Sequence, residues 1–167
     1  EDIQRDFGAS FGRPSTSTTL VQDSSNVLAK PALLRMLRSQ RRIVDSDPLR
    51  VTNTVSAART VASTIDPTAT TLDAQVAAVE RATPAEIDAA VRRAAATEPG
   101  FETRLSNDFS AEAAAASAAE ATVTHRAGRG VSTGGGPGAG ASFPPNRDER
   151  VRRIISDTAP DIRVLGS

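Results

Sequence analysis

The stretch AEAAAASAAEATVTHR, Ala111 to Arg126, admits two readings, and the fold turns on which one is taken. Alanine leads the intrinsic helix scale, so its first half is helical by propensity. Thr122, Val123 and Thr124 in its second half are β-branched and favour a strand. We place a strand over Ala119–Arg126, which gives the second half of the chain a β-α-β order. Downstream, after a glycine tract, a helix is expected over Pro145–Thr158 with Val151, Ile154 and Ile155 apolar. DIRVLGS then closes the chain as a strand carrying Ile162, Val164 and Leu165.

Upstream, FETRLSNDF reads as a short helical turn anchored by Phe101, Leu105 and Phe109. The sharpest local signal precedes it in TPAEIDAAVRRAAA. Thr83 is an N-cap, Pro84 suits the first helical position, and Glu86 completes a capping box. TLDAQVAAVERA carries Leu72, Val76 and Val79 on one stripe, and a Thr-Pro joint separates the two helices, which therefore form a hairpin or corner. Ala58, Val61, Ala62 and Ile65 fall at helical spacing until Asp66 and Pro67. In VTNTVSA, Val51, Asn53 and Val55 alternate with Thr52, Thr54 and Ser56, the pattern of a short strand over Val51–Ala57.

A helix is expected over Pro31–Asp45, its stripe of Leu33, Leu37, Gln40 and Val44 widened by Leu34, Met36 and Ile43. STSTTLVQD, Ser15 to Asp23, reads as the first strand. Before it lies a polar segment with Ile3, Phe7 and Phe11 as apolar anchors. The order is β-α-β, a helical segment, then β-α-β. That is an α+β class, the split βαβ or ferredoxin-like plan with helices inserted between its halves. The expected organisation is one domain over 1–167, with a first βαβ half at 15–57, a helical insertion at 58–110, and a second half at 111–167 that includes a Gly-rich loop at 130–145.

Composition narrows the function classes. Leu, Ile, Val and Phe make up about a fifth of the chain, near the lower limit for folding, but 20 basic against 20 acidic residues leave no net charge to oppose it. That balance argues against nucleic acid, and five Phe without Trp or Tyr leave little surface on which bases could stack. Without cysteine, disulfides and thiolate metal sites are excluded. Lys30 is the single lysine, a bias towards arginine that suggests a GC-rich or salt-adapted source, although the acidic excess of salt adaptation is missing. The chain begins at Glu1 and stops inside an apparent strand, so both ends read as boundaries of a longer protein.

Few residues suggest chemistry. STGGGPGAGASFPPN, Ser132 to Asn146, has the glycines of a phosphate cradle, but no Lys precedes a Ser or Thr, and Pro137 removes an N–H. A flexible connection is the plainer account. His125 is the only histidine; with no nucleophile or further ligand identified, it reads as an exposed side chain at a strand end. Asp45 and Asp47 in DSD lack the longer loop of oxygen ligands that calcium takes, and read as a helix stop. RSQRR and RVRRI suggest contact with anionic lipid or an acidic partner; against this stands a solvated helix face making ion pairs. We assign no catalytic, cofactor or metal residue and expect no enzyme; a hydrolase would need a carboxylate partnership that is not visible.

VLAKPALLRMLRSQRRI, RVTNTVSAARTVASTI, TLDAQVAAVERATPAEIDAAV and the closing IRVLGS together resemble the extracytoplasmic loop of MMPL-like exporters of the resistance-nodulation-division (RND) superfamily, particularly the archaeal, haloarchaeal branch. The resemblance lies in the order and character of segments over nearly the whole chain. It implies a porter subdomain on the extracytoplasmic side of the membrane, taking part in export of hydrophobic or amphipathic molecules. The implied partners are the remaining membrane helices, a second porter-like loop of the same transporter, and a lipid-like substrate; oligomerisation is left open. Residues that couple export to ions lie in membrane helices of that family, so none is carried onto this chain. An apolar face of Val76, Val79, Ile87 and Val91 is expected to meet substrate or partner. The alternative is a free-standing ferredoxin-like module that binds a ligand or regulates.

Overall fold

The structure is a computed structural model and describes residues 15–126 and 147–166. Its order is β1 (Ser15–Asp23), α1 (Lys30–Ser46), β2 (Val51–Ser56), α2 (Ala57–Ile65), α3 (Leu72–Arg81), α4 (Pro84–Thr97), a 3-10 turn (Glu102–Arg104), β3 (Ala118–Arg126), α5 (Arg147–Thr158) and β4 (Ile162–Gly166). The four strands form one antiparallel sheet in the order β2-β3-β1-β4. The class is therefore mixed α+β, with five α-helices among the described residues. The expected segment 1–14, with Ile3, Phe7 and Phe11, and the glycine tract at 130–145 lie outside the described residues.

The stretch that opens the sequence problem resolves into a loop followed by β3. Five of the six residues of Ala111–Ala116 are alanine, yet they form no helix. A helix that short is marginal on propensity alone, and tertiary contacts win. Backbone bonds between Ser110 and Ala115 in both directions close a tight loop, and Ala114 takes a left-handed φ of 51°. The Asn26 carboxamide locks it, donating to the Ala114 carbonyl at 3.2 Å and accepting from the Ala116 and Leu28 N–H groups. From Ala118 the chain alternates cleanly, with Ala119, Ala121, Val123 and His125 buried.

His125 is thus not the exposed strand-end residue expected. It is 3 % exposed. β3 runs between two neighbours as far as His125, which pairs with Thr16 on one side and Val51 on the other. The phase of β2 also differs from strict alternation. A bulge at Thr52 shifts the register, so Val51, Thr54 and Ser56 are buried while Asn53 faces out and Val55 is only partly covered. A second bulge leaves Leu165 of β4 without a partner on β1 and 57 % exposed, whereas Ile162 is buried.

Helix α1 is held over the sheet by two buried polar contacts, one at its start and one further along. Gln22 of β1 donates to the Ala32 carbonyl at 2.9 Å, and Ser56 of β2 donates to Gln40 Oε1 at 2.9 Å. Leu33, Met36 and Leu37 between these pins and Ile43 beyond them are buried, joined by Val151 and Ile155 of α5 in one core. The capping box of Thr83 and Glu86 is present as the sequence indicates. Helix α2 packs on both α3 and α4, and α3 also packs on α1. Val76, Val79, Ile87 and Val91 are consequently buried, which overturns the expectation that they offer a face to substrate.

Truncating Leu37, fully buried on α1, should cost about 2–5 kcal/mol as Leu37→Ala by removing transfer energy and leaving a cavity. Leu49→Ala, at a site 85 % exposed, should change stability by less than about 0.5 kcal/mol. Urea unfolding of both variants checks the pair.

Candidate functional site

The residues singled out from sequence do not converge. Asp47 caps α1, its N–H bonding the Val44 carbonyl, and its carboxylate takes Arg150 at 3.4 Å; Asp45 lies 3.9 Å from Arg41. Among the described residues no group of three or more His, Asp and Glu is placed to hold a metal. The basic runs take part in ion pairs. Arg38 meets Glu80 and Arg41 meets Asp73, each at 2.7 Å, fastening α1 to α3. These pairs are exposed, so each contributes about 0–1 kcal/mol. No described helix is long and apolar enough to cross a membrane.

The feature that does stand out is a cleft of about 610 Å³ beside the outer edge of β2, between the ends of α2, α4 and the loop at 66–71. Its organiser is Arg59, in the first turn of α2. Ser56 caps that helix through its hydroxyl, accepting from the Arg59 N–H at 3.1 Å, and the Arg59 side chain folds back along the strand edge. Nη1 donates to the Thr54 carbonyl at 2.7 Å and to the Thr54 hydroxyl at 2.9 Å. Nε donates to Gln75 Oε1 at 2.8 Å, and Nη2 to the Thr70 carbonyl at 3.3 Å. Gln75, buried on α3, donates in turn to Ser63 and to the Ala69 carbonyl.

This network blunts an edge strand by occupying an outward carbonyl. It also leaves a half-buried cation whose four partners are all neutral. Desolvation holds the Arg59 pKa below its ordinary value, which marks the electrostatic cost of keeping it charged there. Sequence reasoning passed over Arg59. A signal was present: Arg lies at the third helical position of α2, where the helix dipole favours an acid, and α2 has no acid in its first turn.

A second polar cluster is structural. Ser106 donates to Asp108 and accepts from the Ala118 N–H at 3.0 Å, while the Ser117 N–H donates to Asp108 at 3.2 Å. These bonds fix the start of β3. The Ser106 hydroxyl, followed by the Ser117 groups, lowers the Asp108 pKa to about 2. Comparison of the chain with protein-family models, curated proteins and solved structures returns no significant match.

Because the folded pKa of Asp108 lies below its ordinary 3.8, the stability it contributes is present above pH 3.8 and is lost as pH falls from there towards about 2. Asp108→Asn should flatten the acid limb of a melting-temperature profile in that window and leave its slope near neutrality unchanged.

Proposed function

We propose that the chain is the extracytoplasmic, porter-like domain of an MMPL-like exporter, built on a ferredoxin-like plan, and that it serves substrate passage or conformational coupling rather than catalysis. The observation that supports this reading is the strand order β2-β3-β1-β4. Since β1 and β2 both run antiparallel to β3, they are parallel to each other, and α1 crosses between them; β3 and β4 are related in the same way through α5. Two interleaved βαβ units of this kind make up the split βαβ plan. That plan hosts many functions, so export rests on the family resemblance of the segments.

The mechanism proposed is mechanical. Two βαβ halves sharing one sheet and one core make a stiff body, and its displacement against neighbouring parts of a transporter opens and closes a passage. Helices α2 to α4 add to that stiffness, since their apolar residues are spent in the core. The cleft at Arg59 favours a second reading, a free-standing ferredoxin-like module that binds a ligand.

The two readings separate by location. The 167 residues contain no cysteine, so Leu49→Cys introduces one thiol at an exposed site of the domain. The gene encoding the chain, expressed whole, should give a protein that sediments with membranes. The variant should react with a membrane-impermeant maleimide in intact cells, above the level of the parent protein. Recovery in the soluble fraction, or labelling only after lysis, would overturn the exporter reading.

A further inference from the structure

We propose that the cleft beside β2 is a binding site for a small organic molecule carrying a carboxylate or phosphate group, with Arg59, Arg93 and Ser63 receiving the oxyanion. This inference does not depend on the exporter reading, because the site is built entirely within the described residues of this chain.

The case rests on which donors remain free. An arginine has five N–H donors, and Arg59 commits four of them, leaving one Nη2 N–H. The guanidinium is thereby fixed in place before any ligand arrives, so little side-chain entropy is lost on binding. Ser63 accepts from Gln75 Nε2 at 3.2 Å and keeps its own proton to donate. The hydroxyls of Thr60, Thr64 and Thr97 are already donated to carbonyls four residues back and line the cleft without offering a proton.

Charge points the same way. The ion pairs of the described residues engage other arginines, and the charged lining groups of the cleft are Arg59, Arg93 and Glu98, a net excess of one positive charge. The N-terminal turn of α2 adds its partial positive charge beside Arg59. A guanidinium half withdrawn from water whose partners are all neutral keeps attraction for an oxyanion, and such charge-assisted bonds are among the strongest available. The volume, about 610 Å³, falls within the range of small-molecule pockets and exceeds what a bare phosphate fills. The anion is accordingly the anchor of a larger molecule, either soluble or the headgroup of an amphipath.

The test uses the 167-residue chain labelled with ¹⁵N and titrated with inorganic phosphate at constant ionic strength, with chloride as the control. Saturable shifts are expected at the Arg59 Nε–H and at the amides of Ser63, Arg93 and Thr97, with none from chloride. Arg93→Gln and Ser63→Ala, which leave the four bonds of Arg59 to Thr54, Gln75 and Thr70 in place, should each weaken phosphate binding by about tenfold while the rest of the spectrum stays native. Flotation with vesicles of phosphatidic acid, against phosphatidylcholine alone, then distinguishes the sources. Recruitment that Arg93→Gln abolishes supports an amphipath headgroup, whereas phosphate binding without recruitment supports a soluble ligand. Absence of saturable shifts, shifts spread over Arg150, Arg152 and Arg153, or phosphate binding unaffected by both variants would overturn the site.

Discussion

The antiparallel ladder between β1 and β3 runs through nine residue pairs, from Ser15 opposite Arg126 to Asp23 opposite Ala118, and the other elements take their places from it. β3 accepts β2 on its far side and β1 accepts β4 on the other, so both remaining strands are positioned by this pair. On its buried face Thr18, Leu20 and Gln22 stand opposite Val123, Ala121 and Ala119. Gln22 then fixes the start of α1, and Ser56, opposite Ala121 in β2, holds Gln40 further along the same helix. Polar bonds inside an otherwise apolar core are costly to leave unmade, so these two admit few alternative placements of α1.

The ladder joins segments separated by four α-helices, β2 and the loop that Asn26 secures. Closing so long an excursion costs chain entropy before any strand pairing offsets it. The devices found along the way shorten the search. The capping box at Thr83 and the bonds of Ser106 and Asp108 are local, form without distant partners, and deliver β3 at a defined point. Ala119 and Ala121 are buried on the same face of β3 as Val123 and His125.

What could be read from sequence followed the range of the forces involved. Capping at Thr83, the helical stripe of α1 and the β-branched run of β1 depend on neighbours in the chain, and each was legible. The phase of β2 was not, because the bulge at Thr52 answers to β3 and not to any residue type within VTNTVS. Burial of His125 and the covering of Val76 and Val91 are likewise decided by elements far away in sequence. The alanine run at 111–116 misleads for the same reason, since a single asparagine at position 26 holds it out of helical geometry. Arg59 belongs to a different group: its position breaks a local electrostatic preference, and such breaks tend to mark sites under another demand. Edge blunting answers part of that demand, and a cleft with positive charge to spare answers the rest.

Backbone NMR of the labelled chain tests the central pairing most directly. Cross-strand contacts should place Ala121 between Leu20 on one side and Ser56 on the other, with amides from Ala119 to His125 among the slowest to exchange. Sequential helical contacts running from Ala113 through Ala121, or a β3 joined to only one neighbour, would contradict the architecture described.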